Sequence, residues 1–155
     1  MRAEHEVQID RPVGEVFDFL ADGTNNARWK LRVVKTTQIG GSLGTGTTFR
    51  QTMRHPLGFN VSANYRITAF EQPRLLSTVI TSGGPIRPIE TYELTEAGSA
   101  RTTLRYVIEY QPHGLARAMA PFLALVHPLF AMEAKSVDRA RDILQSGSAS
   151  AGDQR

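Results

Sequence analysis

The chain has 155 residues, no cysteine, 18 basic and 15 acidic side chains, and a net charge of +3. This length suits one domain with a substantial core, and the missing cysteines exclude disulfides, thiolate catalysis and cysteine metal ligands. The basic residues form no run, so a nucleic-acid partner is not favoured. The first residues, MRAEHE, are charged rather than an apolar signal segment, and we expect a cytoplasmic protein.

Seven strands and two short helices are predicted before residue 111. Alternating apolar and polar residues predict strands over residues 4–10, 31–39, 47–55, 59–70, 75–81, 86–94 and 102–110. Pro12 begins a first short helix after strand one, and a second short helix near residues 25–29 carries Trp29, the only tryptophan. Tight turns join most of the later strands, which indicates an antiparallel meander.

The longest predicted element is a helix over residues 114–144. Apolar residues recur there at helical spacing and form one stripe: Leu115, Met119, Phe122, Val126, Leu129, Val137, Ala140 and Leu144. The most apolar part contains Arg117, His127, Pro121 and Pro128, so we interpret it as a buried helix rather than a membrane span. The sequence therefore predicts an α+β fold in which a curved seven-stranded antiparallel sheet wraps around this helix. Residues 1–145 form one domain, and residues 146–155 are expected to be a flexible tail.

This order of elements resembles the SRPBCC or START-like superfamily of helix-grip proteins, closest to its polyketide cyclase/dehydrase-like branch. The resemblance covers about residues 3–145. It is carried most specifically by residues 7–20 (VQIDRPVGEVFDFL), 22–29, 92–96 (YELTE) and 102–106 (TTLRY), and by Pro121 and Pro128. The resemblance implies a largely apolar cavity between the sheet and the long helix. The superfamily has no single catalytic motif, so the resemblance assigns no residue a role.

The inner faces of the predicted elements supply candidate ligand-binding side chains. They combine apolar groups with a few polar groups, as small-molecule sites do, and tyrosines add an apolar ring with a hydroxyl at its tip. The predicted ligand-binding residues are Phe49, Gln51, Met53, Tyr65, Tyr92, Tyr106, Met119, Phe122 and Val126.

Two carboxylates are candidates for chemistry. Glu90 shares the inner face of its strand with Tyr92, and a carboxylate in an apolar cavity can act as a general acid or base. The alternative is that Glu90 lies at a wet rim or pairs with Arg50 or Arg87. Glu133 falls on the helix stripe, but we favour the interpretation that it pairs outside with Lys135 or Arg139. The four histidines lack metal-ligand spacing, so neither a metal nor a cofactor is predicted.

Three functions are compatible with these patterns. The first is a carrier or sensor that binds a small hydrophobic ligand (a lipid, a polyketide-like or an aromatic molecule) between sheet and helix. The second is a polyketide cyclase/dehydrase-like enzyme that uses Glu90 as its acid or base. The third is a protein-interaction module with a vestigial cavity, in which apolar helix residues outside the stripe form a homodimer.

Overall fold

One antiparallel sheet forms the frame of the molecule. The computed structural model describes residues 1–110, 117–118 and 121–152, with side chains described up to residue 147. The strands are β1 (Arg2–Ile9), β2 (Val33–Gly40), β3 (Thr48–Arg54), β4 (Asn60–Glu71), β5 (Leu75–Ser82), β6 (Ile89–Glu96) and β7 (Thr102–Glu109). Their order in the sheet is β1-β7-β6-β5-β4-β3-β2, and each neighbouring pair is antiparallel. The predicted seven-stranded antiparallel sheet is confirmed.

Irregular pairing accompanies the curvature of this sheet. The β2–β3 ladder shifts register twice, and so does the β4–β5 ladder. An extra residue in one strand of a pair bends that strand and increases its twist. These irregular pairs are therefore the places where the sheet bends.

Two short helices join β1 to β2, as the sequence predicts. They are α1 (Val13–Ala21) and α2 (Asn26–Trp29), separated by a single 3-10 turn over Gly23–Asn25. Val16 and Phe17 on α1 and Trp29 on α2 have no exposed surface. Burial of these few large side chains fixes helices that are too short to be stable alone.

The predicted long helix is present after the sheet, but it is divided. Its two segments are α3 (Leu123–Ala134) and α4 (Val137–Gly152). The Ser136 hydroxyl donates to the Glu133 carbonyl at 2.5 Å, and the Ser136 amide donates to the same oxygen at 2.9 Å. The predicted long C-terminal helix is confirmed, and this local bonding places one turn inside it at residues 135–136, where it competes with the α-helical pattern. Most of residues 114–120 lies outside the described residues.

The C-terminal helices cover the inner face of the sheet at one edge. Both α3 and α4 pack against β1, α3 also packs against β7, and α4 packs against α2. Val137 and Ala140 of α4 are fully buried. Helix α4 continues to Gly152, beyond residue 145, and the flexibility of residues 146–155 stays a prediction. No helix of the described chain is long and apolar enough to cross a membrane.

Strand direction places several chain segments at one end of the sheet. Because neighbours are antiparallel, β2, β4 and β6 begin at the end where β3, β5 and β7 finish. Lys30 and Arg32 come just before β2, Met53 is near the end of β3, and Glu90 is the second residue of β6. These side chains can therefore surround one cavity although they are far apart in sequence.

Candidate functional site

A cavity of about 160 Å³ lies between this end of the sheet and α3. Its walls are mainly apolar and include Val33, Met53, Ala63, Ile80, Ile108 and Phe130. Among the described residues, five polar or charged side chains interrupt them, namely Lys30, Arg32, Gln51, Glu90 and Glu133. An apolar cavity of about 150 Å³ binds benzene in another protein, so this space suits a single ring.

The predicted ligand-binding residues separate into groups in the structure. Gln51 and Met53 line the cavity, as does Glu90. Phe49, Tyr65, Tyr92 and Tyr106 are buried in the adjoining core rather than in the cavity wall, and Val126 is partly buried against that core. Phe122 is 59% exposed and does not reach the cavity, while Met119 lies outside the described residues.

The sequence pattern assigned Phe122 to the inner face incorrectly, because α3 is apolar on almost every side. Residues 123–132 read LALVHPLFAM, with a single histidine as the polar side chain. A periodic pattern cannot define the inner face of such a helix. In the structure Leu123 and Ala134 are buried, whereas Leu125 is 73% exposed.

Glu90 is held by two donors in the cavity wall. Its Oε2 atom accepts a hydrogen bond from the Tyr92 hydroxyl at 2.9 Å and forms an ion pair with Lys30 Nζ. The side chains of Lys30 and Glu90 are only 4% and 12% exposed. The expected alternative partners do not contact Glu90: Arg50 donates to Asn64, and Arg87 is exposed. The carboxylate faces the interior, and a buried cation neutralises it.

Lys30 is a buried, charged residue of the cavity wall that the sequence analysis missed. It ends α2 directly after Trp29 and is buried. Its ammonium lies 5.4 Å from the centroid of the Trp29 ring and 5.9 Å from those of Tyr92 and Tyr106. Aromatic faces stabilise a desolvated cation. A lysine next to the only tryptophan, together with an inward glutamate, is the signal that could have identified it.

Three aromatic rings form the support behind this ion pair. Tyr92 and Tyr106 stack with centroids 4.6 Å apart, and Trp29 makes edge contacts with both. Through these contacts Trp29 anchors α2 against the sheet. Burial, followed by the charge of Glu90, raises the pKa of Tyr92 and of Tyr106 well above the ordinary value. Both hydroxyls therefore stay neutral at physiological pH.

Glu133 provides a second carboxylate in the cavity wall. The interpretation that it pairs outside with Lys135 or Arg139 was wrong, because Glu133 lies on α3 and lines the cavity. Its Oε2 atom is buried and has no hydrogen-bond partner among the described residues. Burial raises the pKa of Glu133, the charge of Lys30 opposes this, and the charge of Glu90 adds to it.

Replacing Glu133 with glutamine is expected to make the protein more stable at neutral pH. Because the folded-state pKa of Glu133 is raised above 4.5, the folded state favours the protonated carboxyl. Ionisation of Glu133 therefore destabilises the folded protein. This loss of stability is absent below pH 4.5 and grows as the pH rises through the folded-state pKa. Urea unfolding should show that E133Q has a higher free energy of unfolding than the parent protein at about pH 8, and that this gain disappears at about pH 4. The same change at exposed Glu96 is the control, and an equal gain at both pH values would contradict the assignment.

A second group of buried side chains packs against the 3-10 turn between α1 and α2. Phe49 and Tyr65 stack with centroids 5.0 Å apart, and Asn26 Nδ2 donates to the Tyr65 hydroxyl at 3.1 Å. A Cβ atom at Gly23 would overlap that hydroxyl oxygen and lie 2.9 Å from the Phe49 ring. Gly23 therefore permits α2 to approach the sheet closely.

Two glycine-to-alanine changes should have opposite effects. Gly23→Ala must displace the Phe49–Tyr65 pair and is expected to cost about 1–3 kcal/mol. Gly14→Ala lies inside α1, where a Cβ atom would meet nothing within 4 Å, and should add about 0.5–1 kcal/mol. Denaturant midpoints of the two variants measure this. A Gly23→Ala protein as stable as the parent would show that the close approach is unimportant.

His55 and His127 do not line the cavity. His127 Nδ1 lies 2.5 Å from the Tyr110 hydroxyl, and His55 stacks on Phe59 beside the β3–β4 turn. Among the described residues there is no group of three or more potential metal ligands. Among the described residues that line the cavity, the charged ones are Lys30, Arg32, Glu90 and Glu133.

A curved antiparallel sheet that holds C-terminal helices over an internal cavity defines the class of helix-grip proteins. The family model described as "Polyketide cyclase / dehydrase and lipid transport" matches residues 1–135. The chain belongs to this family, and the resemblance to SRPBCC proteins is thereby confirmed. No curated protein shows significant similarity to the sequence.

Solved structures share the fold at low sequence identity. The Zhui aromatase/cyclase from Streptomyces sp. R1128 has 16% identity and a TM-score of 0.70, with 92% of this chain and 95% of that chain covered. A protein from Thermus thermophilus has 14% identity, a TM-score of 0.76 and coverage of 96% and 99%. A START superfamily protein from Mycobacterium smegmatis has 10% identity, a TM-score of 0.63 and coverage of 88% and 97%.

Proposed function

We propose that the protein binds a small hydrophobic ligand in the cavity between the sheet and α3, as a carrier or sensor. The observation that supports this most directly is the cavity of about 160 Å³ with mainly apolar walls. Its polar groups are few and converge from β3, β6, α3 and the segment before β2, which is how small-molecule sites are generally built. The family's description, which includes lipid transport, agrees with this proposal.

Ligand-induced stabilisation tests the proposal. Toluene or indole at a hundred times its Kd should stabilise the protein by about 2.7 kcal/mol, which corresponds to a rise in Tm of about 5–10 °C for a domain of this size. Isothermal titration should give one site per chain. If no apolar ring compound binds by either method, the proposal is wrong.

Proton transfer to or from a bound ligand is the second candidate function, since two carboxylates line the same cavity. Sequence patterns select Glu90 as the acid or base. The contacts favour Glu133 instead, because Glu90 Oε2 already holds Lys30 and Tyr92 while Glu133 Oε2 holds no described partner. Turnover of a poly-β-carbonyl substrate should then fall more in E133Q than in E90Q. Equal turnover in both variants and the parent protein would contradict this candidate.

Self-association is the remaining proposal for a partner. Phe122, Leu125 and Met132 are 59%, 73% and 54% exposed, and their spacing places them on one side of the α3 segment. Exposed apolar stripes of this kind frequently mark interfaces. Sedimentation equilibrium of the parent protein and of Leu125→Glu tests for a homodimer, and a parent protein that remains monomeric contradicts it.

A further inference from the structure

Two buried acceptor oxygens in the cavity wall lack hydrogen-bond partners among the described residues. They are Gln51 Oε1 and Glu133 Oε2. Gln51 is only 3% exposed, and its amide nitrogen contacts the Met53 sulfur at 3.3 Å, which leaves the oxygen unused. Both residues line the cavity, one from β3 and the other from α3. The two acceptors therefore belong to opposite sides of the same space.

Buried acceptors without donors are costly, and a ligand that supplies a donor gains accordingly. Leaving a buried acceptor unsatisfied costs more than a typical hydrogen bond contributes, and bonds to a charged group are the stronger ones. A purely apolar ligand would seal both oxygens away from water without replacing their hydrogen bonds. A ligand with an O–H or N–H group would satisfy at least one of them.

The charges around the cavity limit the charge of the ligand. Among the described lining residues, Lys30 and Arg32 contribute two positive charges, and Glu90 and Glu133 contribute two negative charges when ionised, so the sum of these four charges is zero. Lys30 and Glu90 already neutralise each other. A charged ligand would leave an unbalanced charge in a mainly apolar cavity, which is unfavourable. A neutral ligand leaves the balance intact.

We infer that the cavity selects a neutral, single-ring ligand that carries a hydrogen-bond donor, of the phenol or aromatic-alcohol class. The ring occupies the apolar part of the roughly 160 Å³ space, and the donor bonds Gln51 Oε1 or Glu133 Oε2. This inference rests on the proposed ligand-binding function and adds the chemical class of the ligand. Gln51 and Glu133 are then residues that determine specificity.

Calorimetric titration with four matched ring compounds tests the inference. The compounds are toluene, para-cresol, benzylamine and benzoate. Each is titrated into the whole protein at about pH 8, where benzylamine and benzoate are charged. We expect para-cresol to bind at least about ten-fold more tightly than toluene, and more tightly than either charged compound. Gln51→Met combined with Glu133→Met should reduce the preference for para-cresol over toluene to about two-fold or less. Gln38→Met, the same change at an exposed position, should leave it unchanged.

Other outcomes of these titrations would overturn separate parts of the inference. Equal affinity for toluene and para-cresol overturns the donor requirement while the proposed ligand-binding function stands. Tighter binding of benzylamine or benzoate overturns the requirement for neutrality. A para-cresol preference that survives in the double variant overturns the roles of Gln51 and Glu133. If none of the four compounds binds, the proposed function fails together with the inference.

Discussion

Lys30→Met is expected to destabilise the protein by about 3–5 kcal/mol, because it leaves Glu90 as an unpaired buried carboxylate. Both side chains of the pair are nearly buried, and three aromatic rings surround the lysine ammonium. For a domain of this size such a loss lowers Tm by about 10 °C. Urea denaturation at neutral pH measures the change directly.

Two variants distinguish the buried pair from an ordinary surface contact. Adding Glu90→Gln to Lys30→Met removes the unpaired charge while an amide oxygen still accepts from Tyr92, so most of the lost stability should return. Arg74→Met breaks the Arg74–Glu71 ion pair, whose side chains are 74% and 56% exposed, and should cost less than about 1 kcal/mol. If Lys30→Met costs no more than Arg74→Met, the ion pair does not organise the cavity wall.

Filling the cavity from within is expected to abolish ligand binding without unfolding the protein. Ala63 lies on β4, is 1% exposed and lines the cavity. Ala63→Phe places a benzene ring in a space that suits one ring, so the affinity for toluene should fall by about a hundred-fold or more. Buried apolar area gained by the new ring offsets part of the packing strain, which typically costs about 1–3 kcal/mol.

The control for this prediction is Thr68→Phe, which adds the same ring to the exposed face of the same strand. It should bind toluene as the parent protein does. Isothermal titration provides the affinities, and urea unfolding shows whether each variant is folded. Undiminished binding by a folded Ala63→Phe protein would place the ligand elsewhere.

Strand faces could be predicted from sequence because side chains alternate strictly along a strand. Phe49, Gln51 and Tyr65 were assigned to the inner face and are buried there. A period of two leaves only one alternative, in which every side chain is reversed. The apolar residues decide which of the two assignments is correct, and this also fixes the faces of the polar residues between them. Glu90 was placed toward the cavity by this argument alone.

Helix orientation could not be predicted in the same way. α3 is apolar on nearly every side, so the pattern placed Phe122 inward although it is exposed. The turn at Lys135 and Ser136 also separates α3 from α4. Glu133 falls on the stripe of the predicted helix and lines the cavity, but the pattern alone could not decide between this position and a pair outside. Small local bonds, such as that from Ser136 to the Glu133 carbonyl, decide such details.

Ion pairs between residues far apart in the sequence could not be predicted either. Lys30 and Glu90 are sixty positions apart in sequence, and no local pattern connects them. A lysine is ordinarily exposed, so nothing in its own segment marks it as buried. It is buried because α2 places it against the inner face, where an acceptor and aromatic rings replace water. Charge partners of this kind become visible only when the strand order is known.

The location of a bound ring tests the central claim most directly. Methyl groups of Ile80, Ile108 and Met53 line the cavity, whereas those of Leu125 and Met132 lie on the exposed side of α3. Titration of toluene into methyl-labelled protein should shift the NMR signals of the first three and leave those of Leu125 and Met132 unchanged. Shifts confined to Leu125 and Met132, with unchanged cavity methyl groups, would show that apolar compounds bind the surface and that the cavity is not the ligand site.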